Sequence, residues 1–105
     1  MMTSSIKIRS QRYDDFTEIK LLISHPMENG LNRDPLTGEL IPAHFIQELI
    51  IELDGTHIIT ASLGGSMSKN PFFSFRLKNS HSGNRLGVRW KDNLDQSDGA
   101  EHILE

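Results

Sequence analysis

The chain has 105 residues, 36% of them hydrophobic, with 11 basic and 14 acidic side chains, a formal charge of −3 and no cysteine. This suits one domain over residues 1–105 with a real core, and it removes disulfides, zinc–thiolate sites, thiol redox motifs and blue-copper ligand sets together. Basic and acidic residues are interspersed along the chain, so no footprint for nucleic acid or for a charged membrane is expected.

Alternation of apolar and polar residues recurs along the chain, while helical periodicity is hard to find. Met1–Arg9 hold no apolar stretch behind a basic cap, so no secretory signal is read there, and the residues alone point to the cytoplasm. Ile6 and Ile8 alternate with Lys7 and Arg9 in a first strand; Ile19, Leu21 and Ile23 mark a second. Leu49, Ile51 and Leu53 share a face with Phe45 in a third, with Glu48 and Glu52 opposite. Asp54-Gly55 then supplies the two positive-φ positions of a tight hairpin, because glycine lacks a Cβ and aspartate tolerates the left-handed region. The fourth strand, Thr56–Leu63, should pair directly with the third. Phe73, Phe75 and Leu77 form a fifth strand entered through Pro71, which cannot donate a ladder bond. Leu86, Val88 and Trp90 mark a sixth, and a short seventh lies near Ala100–Leu104. No run approaches the length of a membrane span.

Seven short strands predict an all-β, immunoglobulin-like antiparallel β-sandwich, with a small barrel as the competing closure. Strands one, two and five are assigned to one layer and three, four, six and seven to the other. Trp90 and the central phenylalanines would fill the core in place of a disulfide. With antiparallel neighbours, the connections His25–His44, Gly64–Asn70 and Asn93–Asp98 emerge at one pole. Gln11–Asp15, Asp54-Gly55 and Asn79–Asn84 fall at the other. The His25–His44 connection runs about twenty residues, and its repeated Asn-Gly, Asp-Pro and Thr-Gly bends predict a hairpin-like flap packed on the sandwich.

The chemistry-bearing residues concentrate at the first pole. His25 and His44 sit at the mouth of the long loop, where a metal would need a third protein ligand; the alternative role is to hydrogen-bond loop backbone and hold the flap. No metal or other cofactor is expected. Ser24, Ser66 and Ser68 lack the strained elbow and the oriented base of a hydrolase, and Gly64-Gly65 precedes no helix that would make it a phosphate loop. Lys69 is read either as an anion-attracting ammonium or as a solvated charge. Asn70 can hydrogen-bond backbone ahead of Pro71. Met27 is read as exposed, a soft contact for a partner or a lid over the sandwich end. Ile46, Ile50 and Ile58 are expected to form an outward apolar stripe, a candidate interface for a partner or for a twofold homodimer, unless the flap or first strand covers it.

Four blocks carry a family resemblance: I-S-H-P-M-E from Ile23 to Glu28, G-E-L-I-P-A-H-F-I-Q-E from Gly38 to Glu48, S-K-N-P-F-F-S-F from Ser68 to Phe75, and W-K-D-N from Trp90 to Asn93. In this order they resemble the Z subunit of the SoxYZ sulfur-oxidation carrier complex, over about Ile6 to Ile103. The resemblance implies an immunoglobulin-like, non-enzymatic subunit that pairs as a heterodimer with SoxY, whose cysteine carries the sulfur intermediates of thiosulfate oxidation. It also implies transient contacts with other Sox enzymes, and work in the periplasm after export with the partner. Leu94-Asp95 stand where the family usually has a glycine two positions after Asn93, and Gly64–Met67 is richer in glycine than the family pattern. The residues assigned to partner binding are His25, Pro26, Met27, Glu28, His44, Ser68, Lys69, Asn70, Asp92 and Asn93 at the pole, with Ile46, Ile50 and Ile58 on the sheet. A metal-dependent redox module on the same fold and a self-associating homodimer are the alternatives.

Overall fold

Alternation becomes strand wherever an apolar face finds a neighbour to cover it. The computed structural model describes residues 4–78 and 80–105 and, within them, holds seven strands: β1 (Ile6–Arg12), β2 (Phe16–Ile23), β3 (Ile46–Leu53), β4 (Thr56–Ser62), β5 (Phe72–Lys78), β6 (Arg85–Asp92) and β7 (Ser97–Ile103). Met1–Thr3, the start of the N-terminal reading above, and Asn79, the expected first residue of a polar turn, lie outside the described residues.

Every strand pairing is antiparallel, in two open sheets ordered β1-β2-β5 and β4-β3-β6-β7. This is the layer assignment read from the sequence, a sandwich and not a barrel. Ile19, Leu21 and Ile23 of β2 face Leu49 and Ile51 of β3 and Leu86 and Val88 of β6 in one buried cluster. The core is aliphatic. Trp90 joins it, but Phe73 and Phe75 are only partly buried, so the phenylalanines fill less of it than expected. On one side β1 lies against β7, whereas β4 and β5 have no comparable contact on the other, which leaves the inward residues of those two edges half-open. Asp54 and Gly55 hold φ of 50° and 84°, the two left-handed positions of the anticipated hairpin turn.

Two register shifts along β3, one with its extra residue on β3 and one with it on β4, correct the isoleucine stripe. Between Ile46 and Glu48 the register against β6 shifts, so that Ile46 pairs with Asp92 while Glu48 pairs with Lys91. The extra residue reverses the alternation, and Ile46 is fully buried instead of facing solvent. A second shift, between Ile51 and Glu52, leaves Ile58 of β4 without a register partner and 38% exposed. Ile50 does face outward, half-buried between Thr60 and Arg89. No continuous apolar stripe remains. β7 also starts earlier than its composition suggests, because Ser97, Asp98 and Gly99 pair with Lys91, Trp90 and Arg89 despite their turn-like character.

Candidate functional site

Loops meet at the end of the sandwich where β2, β4 and β6 finish, as their direction requires. The β2–β3 and β4–β5 connections are joined by an exchange of bonds: the His25 amide donates to Asn70 Oδ1 at 3.0 Å, and the Asn70 amide donates back to the His25 carbonyl at 2.9 Å. Asn70 sits at φ 53°, a left-handed conformation its short amide side chain tolerates. The β6–β7 turn is joined in the same way. Asn93 accepts from the Phe45 amide at 2.8 Å and donates to the Ala43 carbonyl at 2.9 Å.

The long connection is a flap, as its bends predicted. Glu28 and His44 exchange amide–carbonyl bonds at 2.7 and 2.8 Å, and farther out Arg33 bridges Leu40. At the tip, Asp34 Oδ1 accepts from the amides of Leu36 and Thr37 at 2.7 and 3.3 Å. The root of the flap passes so close to the β4–β5 loop that a Cβ on Gly65 would lie 3.0 Å from Asn29 Cβ. Gly65 is therefore a contact point for the flap.

Beneath the flap, Asp92 is the centre of the pole. Its carboxylate is fully buried. Oδ2 accepts from His44 Nε2 at 2.7 Å and His25 Nε2 at 3.1 Å, while Oδ1 accepts from the amides of Leu94 and Gln96 at 3.0 and 2.8 Å. Burial opposes ionisation of Asp92, but the bonds from His25, the Gln96 amide, His44 and the Leu94 amide outweigh it and hold its carboxyl below the ordinary value. The turn it caps closes without the expected glycine: Asp95 takes φ 60° itself. Trp90 stands edge-on to the His25 ring at 5.1 Å, and His44 does so at 4.6 Å.

His25, His44 and Asp92 thus present three ligand-type atoms within 4.8 Å, and Asp92 is the third group that sequence spacing could not bring to the histidines. Hydrogen positions argue against a cation there. The Met27 amide donates to His25 Nδ1 at 3.1 Å, so in the neutral ring the proton sits on Nε2, pointing at Asp92. Ligating a metal through Nε2 would require a proton on Nδ1, set against the amide hydrogen of Met27. The same two bonds leave His25 no free nitrogen with which to take a proton from a nucleophile. What the arrangement does is tie both ends of the β2–β3 connection and the β6–β7 turn to one ionised carboxylate at the end of β6.

Exposure then sorts the residues assigned to partner binding. His25, Asp92 and Met27 are interior. Met27 is 5% exposed, not an exposed contact; its φ of 49° turns the thioether inward, where it accepts from the Ile46 amide at 3.4 Å. Glu28, His44 and Asn93 are half-buried and occupied in holding the flap and the β6–β7 turn. Pro26, Ser68, Lys69 and Asn70 are exposed. The most open apolar residues of the flap were not singled out from the sequence: Leu31, Leu36 and Leu40 are 79%, 94% and 53% exposed. The available signal was three leucines in a segment otherwise made of polar residues, Gly and Pro, with no strand pattern to bury them.

A second cluster lies at the start of β1. Asp98 Oδ2 accepts from the Ser5 amide at 2.8 Å and the Ser5 hydroxyl at 2.7 Å, and Trp90 Nε1 donates to that hydroxyl at 3.0 Å. The bonds from Ser5 lower the Asp98 carboxyl below its usual value. This clip fastens the beginning of β1 to β7 on the closed side of the sandwich.

The family model described as Sulphur oxidation protein SoxZ matches residues 6–102. No curated protein sequence matches the chain.

Proposed function

Because the chain belongs to the SoxZ family of sulphur oxidation proteins, we propose that it is the non-catalytic subunit of a SoxYZ carrier, a scaffold that binds SoxY and helps to present its sulfur-bearing cysteine to other Sox enzymes. The chain has no cysteine to carry sulfur itself. At its loop pole His25 and His44 are bonded to Asp92, which supports an adhesive role for the surface around them. Flap and pole together form the contact surface: Leu31, Leu36 and Leu40 supply apolar area, and Pro26, Ser68 and Lys69 form the neighbouring rim. On this reading it works in the periplasm beside its partner.

One observation carries the proposal. Three open leucines project from a flap whose root is closed between Glu28 and His44 and hydrogen-bonded to the sandwich end at Asp92 and Asn93, a preorganised apolar surface of the kind that binding uses at little ordering cost. The test is co-purification with SoxY. The wild-type chain should elute as a stable heterodimer, and a Leu31→Ser, Leu36→Ser, Leu40→Ser variant should lose SoxY while keeping its own unfolding midpoint. Turnover of thiosulfate by the isolated chain, or unchanged pairing by the triple variant, would overturn it.

A further inference from the structure

The basic residues are scattered in sequence but gathered in space. On the outer face of the β1-β2-β5 sheet, alternation places Lys7 and Arg9 of β1, Lys20 of β2, and Arg76 and Lys78 of β5. These are five of the 11 basic residues, and Glu18 is the single one of the 14 acids that shares the face. Lys20 pairs with Glu18 at 3.6 Å and the Arg76 guanidinium lies 4.6 Å over the Phe16 ring; among the described residues, Lys7, Arg9 and Lys78 form no ion pair.

The other sheet presents its charges differently. Arg85, Arg89 and Lys91 on β6 meet Glu101, Glu52 and Asp95 respectively, so each cation has its carboxylate. A chain with a net charge of −3 therefore keeps one face positive, five cations against the single carboxylate of Glu18, which gives that face a local field opposite to the whole molecule.

Apolar surface lies at one end of the basic face. Lys7, Leu22 and Phe72 form one cross-strand row, and the next row begins Arg9, Lys20. Leu22 and Phe72, 39% and 58% exposed, border a shallow cavity of about 350 Å³ that Lys7, Arg9 and Lys20 complete. A hollow walled by an aromatic and an aliphatic side chain takes an inserted apolar group, and the ammonium and guanidinium groups beside it select carboxylates around that group. Phosphodiester backbones would leave the apolar hollow unfilled, and a bilayer calls for apolar side chains that project as a wedge.

We propose that the outer face of the β1-β2-β5 sheet is a second docking surface, for a protein patch in which one apolar side chain is flanked by aspartates or glutamates. It is separate from the flap leucines and stands whether or not they bind SoxY.

The experiment is an amide chemical-shift titration of the full chain. The probe is a β-hairpin peptide bearing one phenylalanine between glutamates, with controls in which glutamine replaces glutamate or alanine replaces phenylalanine. At low salt the acidic peptide should shift Lys7, Arg9, Lys20, Leu22 and Phe72, and affinity should fall about tenfold or more on going to several hundred millimolar salt. The paired variant Arg9→Glu, Lys20→Glu should abolish binding with the unfolding midpoint unchanged, and Phe72→Ser should weaken it about five- to tenfold. Equal binding of the glutamine peptide, shifts confined to the flap, the same shifts with inorganic phosphate alone, or binding only to phosphatidylglycerol vesicles would each overturn the proposal.

Discussion

The floor of the loop pole and the tip of the flap are built from neighbouring stretches of chain, yet they divide the work differently. The floor holds the residues that look chemical, His25, His44 and Asp92, and uses them on one another. The tip holds leucines with no chemistry and leaves them in solvent. The difference teaches that reactive residue types at a pole can be structural, while the open apolar surface beside them, the contact surface proposed above, lies in unremarkable aliphatic side chains. Floor substitutions should cost stability and tip substitutions should cost association only.

Asp92→Ala should have the largest effect. It takes the acceptor from the buried His25 N–H, the half-buried His44 N–H and two turn amides and leaves a cavity at a fully buried position, and a loss of about 3–4 kcal/mol is expected in urea unfolding. A loss below about 1 kcal/mol, within the range of an exposed hydrogen bond, would erase the distinction between floor and tip. Met27→Ala should follow at about 2–4 kcal/mol, through the cavity left where the thioether packs beneath the flap. If that variant kept its stability and lost SoxY instead, Met27 would belong with the tip.

Acid sharpens the comparison further. The folded Asp92 carboxyl titrates below its unfolded value, so its contribution is present above the unfolded pKa of about 3.9 and is lost as pH falls through the folded one. Unfolding free energy of the wild type should therefore fall below about pH 4, and Asp92→Asn should flatten that fall. Some slope should remain in the variant, because the lowered carboxyl of Asp98 acts in the same direction. An equal slope in both proteins would remove Asp92 as its source. Leu36→Ser should have the smallest effect on stability, within about 0.5 kcal/mol, and is read instead by weaker SoxY pairing.

Much of the fold was legible because each apolar alternation has one solution as a strand. The Asp54-Gly55 turn fixed the β3–β4 pairing, and the run of antiparallel connections put His25, Asn70 and Asn93 at one end. The Ile46 error shows where alternation stops informing. A bulge adds a residue without any signature in residue type at Gln47, and every inference about facing changes sign across it. Met27 lies buried against its sequence expectation for a related reason: a positive φ at a single residue decides whether a loop side chain points out or in, and nothing in the local composition there demands it.

The sequence by itself determined the strand count, the absence of thiol chemistry, the two layers and the pole at which the unusual loops gather, since these follow from local patterning and chain direction. Only the tertiary structure decided that Asp92 stands between His25 and His44, that Ile46 is core, and that Lys7, Lys20 and Arg76 share one face. Each of these joins residues far apart in sequence through pairing and register. Those are cooperative properties of packed sheets, which no single stretch of chain contains.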